Sequence, residues 1–198
     1  RPPVFGAKLK SLDDSAAKAV KGVKAVLRVP TDRGGEGVAI IAEGYWPAKQ
    51  GRDALKLEWD TASVEKPDTA QLLNQYRALA QKTGAIAIPA DVAPLANAPQ
   101  KISAEFTFPY LAHAPMEPLN CTVKLDGDKV ELWMGTQMPG LDAMAAAKVL
   151  GLQPQNVKVH TQMAGGGFGR RGIPTSDYVV EACAVAKAAR TAGITAPV

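Results

Sequence analysis

The chain has 198 residues, 46% apolar and 21% charged, enough for one large domain or two small ones and too apolar for wholesale disorder. Its 23 Lys and Arg stand against 19 Asp and Glu, a formal charge of +4. The basic residues are scattered, which argues against a nucleic-acid partner because phosphate contacts need a clustered basic stripe. Two cysteines, Cys121 and Cys183, and two histidines, His113 and His160, exclude a four-cysteine iron–sulfur or zinc site.

Residues 1–60 read as a small unit of strands and helices. A strand is expected over 5–9, then a short helix capped by Asp13 or Asp14 and closed near Gly22, where a left-handed residue suits a helix end. Residues 23–29 form a second strand candidate, 32–37 a loop, and the unbroken apolar run 38–42 a buried strand. Residues 46–54 are expected to be helical. Leu55, Leu57 and Trp59 then alternate with Lys56 and Glu58, the period of a strand with one buried face.

Residues 61–100 read as a connector. Asp68 with Gln71 resembles a capping box, and Leu72, Leu73, Tyr76, Leu79 and Ala80 recur at helical spacing as far as Gly84. Pro89, Pro94 and Pro99 among alanines mark a surface linker. In residues 101–198, Ile102, Ala104, Phe106 and Phe108 alternate with Ser103, Glu105 and Thr107, which predicts a strand. Residues 122–125 and 129–134 flank Asp126-Gly127, a hairpin signal. A helix over 141–150 ends at Gly151, Val157 to Met163 alternate again, and a last helix is expected from Pro174 to about Arg190. The mixed order of strands and helices gives an α+β class. No apolar run reaches the ~18 residues of a membrane-spanning helix. The opening Arg1-Pro2-Pro3, with neither an initiator Met nor a secretory signal, reads as the interior of a longer protein.

The stretch Gly165-Gly166-Gly167-Phe168-Gly169-Arg170-Arg171-Gly172 lies between a predicted strand and a predicted helix. Its bare backbone lets N–H groups approach an anion or flat ligand closely. The two arginines offer planar forks for phosphate, and the helix adds partial positive charge. The plain alternative is a tight turn with a solvated arginine pair. A dinucleotide fingerprint fits 167–172 in form but lacks the later strand-end acid that holds a ribose. Two other segments stand out. His113 and Glu117 have a spacing open to a metal pair, yet Pro115 between them favours buried polar contacts that fix a loop. Gln137 ends a strand and can present its amide to a ligand. The cysteines are expected as buried thiols, with one disulfide as the alternative.

Together and in this order, His113 to Pro118, Thr136-Gln137 and the triple-Gly-Phe-Gly loop resemble the molybdenum-binding large subunit of the xanthine oxidase family. The Arg-Arg continuation resembles its isoquinoline 1-oxidoreductase and membrane-bound aldehyde dehydrogenase branch. Residues 1–60 are similar to that family's α/β hammerhead domain. The resemblance implies a hammerhead-like domain over 1–60, a connector over 61–100 and part of a molybdenum-cofactor-binding domain over 101–198. It implies molybdopterin cytosine dinucleotide, whose own sulfurs hold the metal, so no protein residue is assigned as a metal ligand.

Gln137 would then donate its amide to the cofactor's apical oxygen ligand. Gly165, Gly166, Gly167, Phe168 and Gly169 would lie along the cofactor, and Arg170 and Arg171 would approach its phosphates. The implied reaction is hydroxylation of an N-heterocycle or aldehyde with oxygen from water. Electrons would pass to a small two-iron–two-sulfur subunit and on to cytochrome c, in a periplasmic or inner-membrane-associated parent. Gly172 stands where purine-oxidising relatives carry a substrate-binding Glu. The family's general-base Glu falls on no residue here, so no catalytic residue is assigned. The chain alone is expected to be inactive and prone to self-association. Two other functions compete: a stand-alone anion or nucleotide binder using the 165–171 loop, and a structural assembly domain.

Overall fold

The computed structural model describes residues 1–198 as two compact units. One comprises 1–64 with 113–198, the other 65–112. This differs from the expected three-part division: 101–112 go with the connector, and the first 64 residues pack with the last 86.

In the larger unit, β1 (Lys8–Asp13) pairs antiparallel with β4 (Lys56–Asp60), and β2 (Val23–Pro30) with β3 (Glu36–Ala42). β1 starts later than expected and leaves Phe5 exposed. The short helix α1 (Ser15–Lys18) follows, and Gly22 adopts φ +94°, as its place before β2 suggests. Helix α2 (Tyr45–Asp53) rests on the β2–β3 hairpin through Gly51. A Cβ there would come within 2.9 Å of Val23 and 3.1 Å of Ile40, so only glycine allows this approach. Contrary to expectation, β3 is not a buried strand: only Gly37 is fully covered and the rest is half-buried, because a two-stranded sheet covers one face at most.

The second half of this unit holds the core. Strands β5 (Thr122–Asp126) and β6 (Lys129–Met134) form the hairpin predicted at Asp126-Gly127, with Gly127 at φ +58°. β7 (Val157–Thr161) lies parallel to β6, so helix α5 (Pro139–Leu150) is the crossover between them. Gly151 closes α5 in the left-handed conformation at φ +72°. Along β6, Val130, Leu132 and Met134 point inward, onto Val179, Cys183 and Ala186 of helix α6 (Asp177–Thr191) and Ala146 of α5. This is period two on the strand meeting period 3.6 on the helix. Helix α6 begins at Asp177, not at Pro174; Ser176 before it is buried and left-handed at φ +47°. Both cysteines are free thiols.

In the smaller unit, helix α3 (Thr69–Ala80) starts where Asp68 accepts the Gln71 N–H at 3.0 Å, and a single turn, α4 (Ala93–Asn97), interrupts the proline-rich stretch. The strand expected over 102–108 is absent. Residues 101–112 carry no regular secondary structure, are exposed and make no backbone–backbone hydrogen bond. A strand exists only in a ladder, and no strand lies beside this one. No helix of the chain is long and apolar enough to cross a membrane.

Candidate cofactor-binding site

Three distant segments meet at the end of the β6–β7 pair, and Arg171 joins them. Its side chain is fully buried. Nε donates to the Gly166 carbonyl at 2.9 Å, one terminal nitrogen to the Gly135 carbonyl at 3.3 Å, and the other to the Glu117 carbonyl at 3.2 Å. The last also lies 3.3 Å from the Glu117 carboxylate. The Arg171 carbonyl in turn accepts the Gln137 N–H at 3.0 Å. One guanidinium therefore links the glycine loop, the end of β6 and the 113–118 segment.

Glu117 braces the loop from the other side. Its carboxylate accepts the Gly165 N–H at 2.6 Å and the Asn120 amide at 2.7 Å, while the Gly165 carbonyl accepts the Glu117 N–H at 3.1 Å. The Gly165 N–H, the Asn120 amide and the Arg171 charge hold the Glu117 carboxyl below the usual carboxylate range. Gly165 is required here, since a Cβ would lie 2.6 Å from Glu117 Cβ. Of the buried polar contacts expected of His113 and Glu117 to fix a loop, only the loop-fixing part holds, and only for Glu117, whose side chain is 34% exposed. Glu117 fixes the loop; His113 is exposed and makes no side-chain hydrogen bond.

Both arginines have partners within the chain. Arg171, expected near phosphates, has its donors turned inward to carbonyls. Arg170, expected there too, makes a bidentate pair with Asp177 at 2.8 and 2.7 Å. That pair engages two of its five N–H groups. Helix α6 starts only at Asp177, whose carboxylate accepts the Tyr178 N–H at 2.8 Å.

The outer face of the loop is open. The N–H groups of Gly166, Gly167 and Phe168 have no partner in the chain. Gly166, Phe168 and Gly169 all take positive φ, at 108°, 52° and 90°. Such turns direct successive N–H groups into a concavity that suits an anion or a polar ligand edge. Gln137 lies directly against this row, since a Cβ on Gly167 would sit 2.7 Å from its Oε1. That oxygen accepts the Gly169 N–H at 3.2 Å, so the Gln137 amide nitrogen has no partner in the chain and is free to donate. Phe168 is 75% exposed beside it. No group of three or more His, Cys, Asp or Glu gathers as a metal site. These donors fit a cofactor that carries its own metal ligands and needs hydrogen bonds and a flat contact from the protein.

Two residues behind Gln137 carry no sequence signal of their role. Asp142 of α5 is buried and accepts the Thr136 hydroxyl, while that hydroxyl accepts the Met138 N–H at 3.0 Å. Tyr178 of α6 donates to the Gly135 carbonyl at 3.0 Å, and burial pushes its phenol up to about 12. Both sit within helices whose apolar pattern is what the sequence displays. Only their placement in the first turn of each helix puts them under the strand end.

The model of the molybdopterin cofactor-binding domain family matches residues 75–196, more than half of the chain. The isoquinoline 1-oxidoreductase beta subunit of Brevundimonas diminuta is 31% identical over 187 residues, 87% of this chain and 23% of that protein. The membrane-bound aldehyde dehydrogenase (pyrroloquinoline-quinone) of Gluconacetobacter polyoxogenes is 29% identical over 193 residues, 94% of this chain and 25% of that one. The chain thus spans about a quarter of the length of these relatives. Crystal structures of quinoline 2-oxidoreductase from Pseudomonas putida 86 and of Cu,Mo-CO dehydrogenase share the fold. Their TM-scores are 0.63 and 0.62 at 17% and 19% identity, over 98% and 96% of this chain and 29% of each of theirs. The family match runs through every residue of the braced loop, and the chain belongs to the molybdopterin cofactor-binding domain family, as a stretch of a xanthine oxidase family large subunit.

Proposed function

We propose that this chain lays one wall of the molybdenum-cofactor site in a hydroxylase large subunit. The observation that carries this is the row of unpartnered N–H groups at 166–168 beside the free amide of Gln137. The cofactor, taken here in its molybdopterin cytosine dinucleotide form, supplies the two-electron redox chemistry when bound. The chain's own residues bind and orient. Gly166, Gly167 and Phe168 offer backbone donors, and Gln137 offers a side-chain donor whose direction Gly169 fixes. Phe168 gives an apolar contact face. Arg171 and Glu117 hold these donors in place before anything binds, so ordering the loop costs nothing at the moment of binding.

The substrate class we propose is an N-heterocycle or an aldehyde, in line with the names of the relatives. Hydroxylation needs a general base, and the carboxylates around this loop are engaged. Glu117 holds Gly165 and Asn120, Asp177 holds Arg170, and Asp142 holds Thr136. The base is therefore placed elsewhere in the parent subunit, and the 198-residue chain is inactive alone. A small two-iron–two-sulfur subunit and a cytochrome c are the proposed electron acceptors. A periplasmic or inner-membrane-associated parent is part of the same proposal.

The test is Gly167→Ala in the full-length subunit. The added Cβ would meet Gln137 Oε1 at 2.7 Å and Cδ at 2.9 Å, forcing that side chain to move. Molybdenum per polypeptide should fall at least about tenfold, the scale seen when groups supporting a metal site are lost, with the melting temperature nearly unchanged. Unchanged molybdenum content refutes the proposal. Stabilisation of the chain by ATP or NAD, and none by extracted molybdopterin dinucleotide, would replace it with a nucleotide-binding reading.

A further inference from the structure

Asp142 is the one fully buried carboxylate of the chain. Its side chain has a single hydrogen bond, from the Thr136 hydroxyl. The two arginines of the glycine loop pair with Asp177 and Glu117 instead. A buried charge without a cation is costly. Helix α5 offsets part of that cost by placing Asp142 in its positively polarised first turn. Stability alone does not account for a carboxylate at this position.

We propose, on the reading of Gln137 as a cofactor donor, that Asp142 is a positioning residue for Gln137 and acts through Thr136. The Thr136 hydroxyl has one hydrogen and rotates to suit its acceptor. A carboxylate only accepts, so that hydrogen is committed to Asp142. A lone pair is then left facing the Met138 N–H, which the hydroxyl accepts at 3.0 Å. This bond joins residues 136 and 138 in a local side-chain turn with Gln137 in the middle. From the other side, the Arg171 carbonyl accepts the Gln137 N–H at 3.0 Å. With its own N–H and both neighbours tied, Gln137 leaves the backbone in one direction. Its Oε1 meets the Gly169 N–H at 3.2 Å and its amide nitrogen is left to donate.

Tyr178 supplies the competing state. Its phenol donates to the Gly135 carbonyl at 3.0 Å, and its oxygen lies within reach of the Thr136 hydroxyl. Without Asp142 the Thr136 hydrogen turns to that oxygen, the lone pairs turn away from Met138, and the turn over 136–138 opens. Asp142 selects between two settings of one hydroxyl, and the direction of Gln137 follows the choice.

The side-chain amide of Gln137 reports this without any cofactor, through its nitrogen relaxation in the 198-residue chain. Gln137→Glu identifies the signals by their loss. The order parameter should be about 0.85 in the native chain and fall below about 0.6, the flexible range, in Asp142→Ala. Thr136→Val removes the hydroxyl from the other end and should lower it equally, with the double variant no lower than either single one. Asp142→Asn keeps an acceptor oxygen in place and should retain the native value. Val179→Ala loosens the core under α6 and should leave the amide ordered. An unchanged order parameter in Asp142→Ala or Thr136→Val overturns the proposal. So does loss of order in Asp142→Asn, or in Val179→Ala, where general loosening would be the cause. The cofactor reading is scored separately, by molybdenum per polypeptide in the full-length subunit. Loss of amide order in Asp142→Ala with molybdenum unchanged upholds the positioning of Gln137 and refutes its role as a cofactor donor.

Discussion

Replacing Arg171 by alanine removes a buried cation and three hydrogen bonds at once. The consequences follow from which acceptors find another donor. The Gly135 carbonyl keeps the Tyr178 hydroxyl at 3.0 Å. The Gly166 and Glu117 carbonyls lose the donors at 2.9 and 3.2 Å, and no other chain donor reaches either. Each buried orphan costs about 1–3 kcal/mol, and the emptied volume of a fully buried long side chain adds to it. Two such orphans put Arg171→Ala at about 2–6 kcal/mol before the emptied volume is counted. Arg171→Lys keeps the charge but cannot serve three carbonyls with one rigid fork, so it should recover less than half of the loss. Urea unfolding of the larger unit, followed by circular dichroism with Trp133 fluorescence, measures both. A destabilisation below about 1 kcal/mol for Arg171→Ala would refute the brace, since an arginine turned to solvent behaves in that way.

Glu117 gives a pH dependence with a definite sign. Its carboxyl is held below the ordinary value by the Gly165 N–H, the Asn120 amide and Arg171, so its contribution is present above the unfolded value of about 4.3. It is lost as pH falls through the folded value. The melting-temperature gap between the native chain and Glu117→Gln should be largest near neutrality and close progressively below about pH 4.3; a gap that widens in acid refutes the assignment. Burial pushes both the Cys121 and Cys183 thiols up to about 12. Neither should react with a disulfide reagent at pH 8 until the chain is unfolded, and rapid labelling of two thiols in the native chain would contradict this.

What was legible in the sequence was local. The Asp126-Gly127 turn, the left-handed Gly151 and the alternation of Leu57 with Trp59 each concern neighbours a few residues apart, and the structure places all of them as expected. The strand expected at 102–108 is absent for the opposite reason. Its alternation is local, but a strand needs a ladder, and no other strand of the chain lies beside this segment. Burial of 38–42 depended equally on what covers the second face of a sheet. The candidate site was legible as a set of three motifs, because glycines and a strand-end Gln signal close backbone approach and amide presentation. The direction of a side chain was not. Arg170 and Arg171 are adjacent and chemically alike, yet one pairs with a carboxylate at the start of a helix and the other fills a core, a difference set by where Asp177 and Glu117 arrive in three dimensions.

That difference explains why a loop of four glycines has a single shape. Glycine loses the most conformational entropy on ordering, and Phe168 adds about 1 kcal/mol or more of its own by taking a left-handed backbone. The loop must therefore be held from behind by contacts worth more than that sum. A charge serves better than an apolar plug, because Arg171 bonds directly to the loop backbone at Gly166 and to the segments on either side of it. The inward guanidinium leaves the outward N–H groups of 166–168 with nothing to bond but solvent or a ligand. Those amides cost nothing while wet, and they demand an acceptor once water is excluded. Arg171 thus holds the loop's outward donors in place from behind, a role that its charge alone does not suggest.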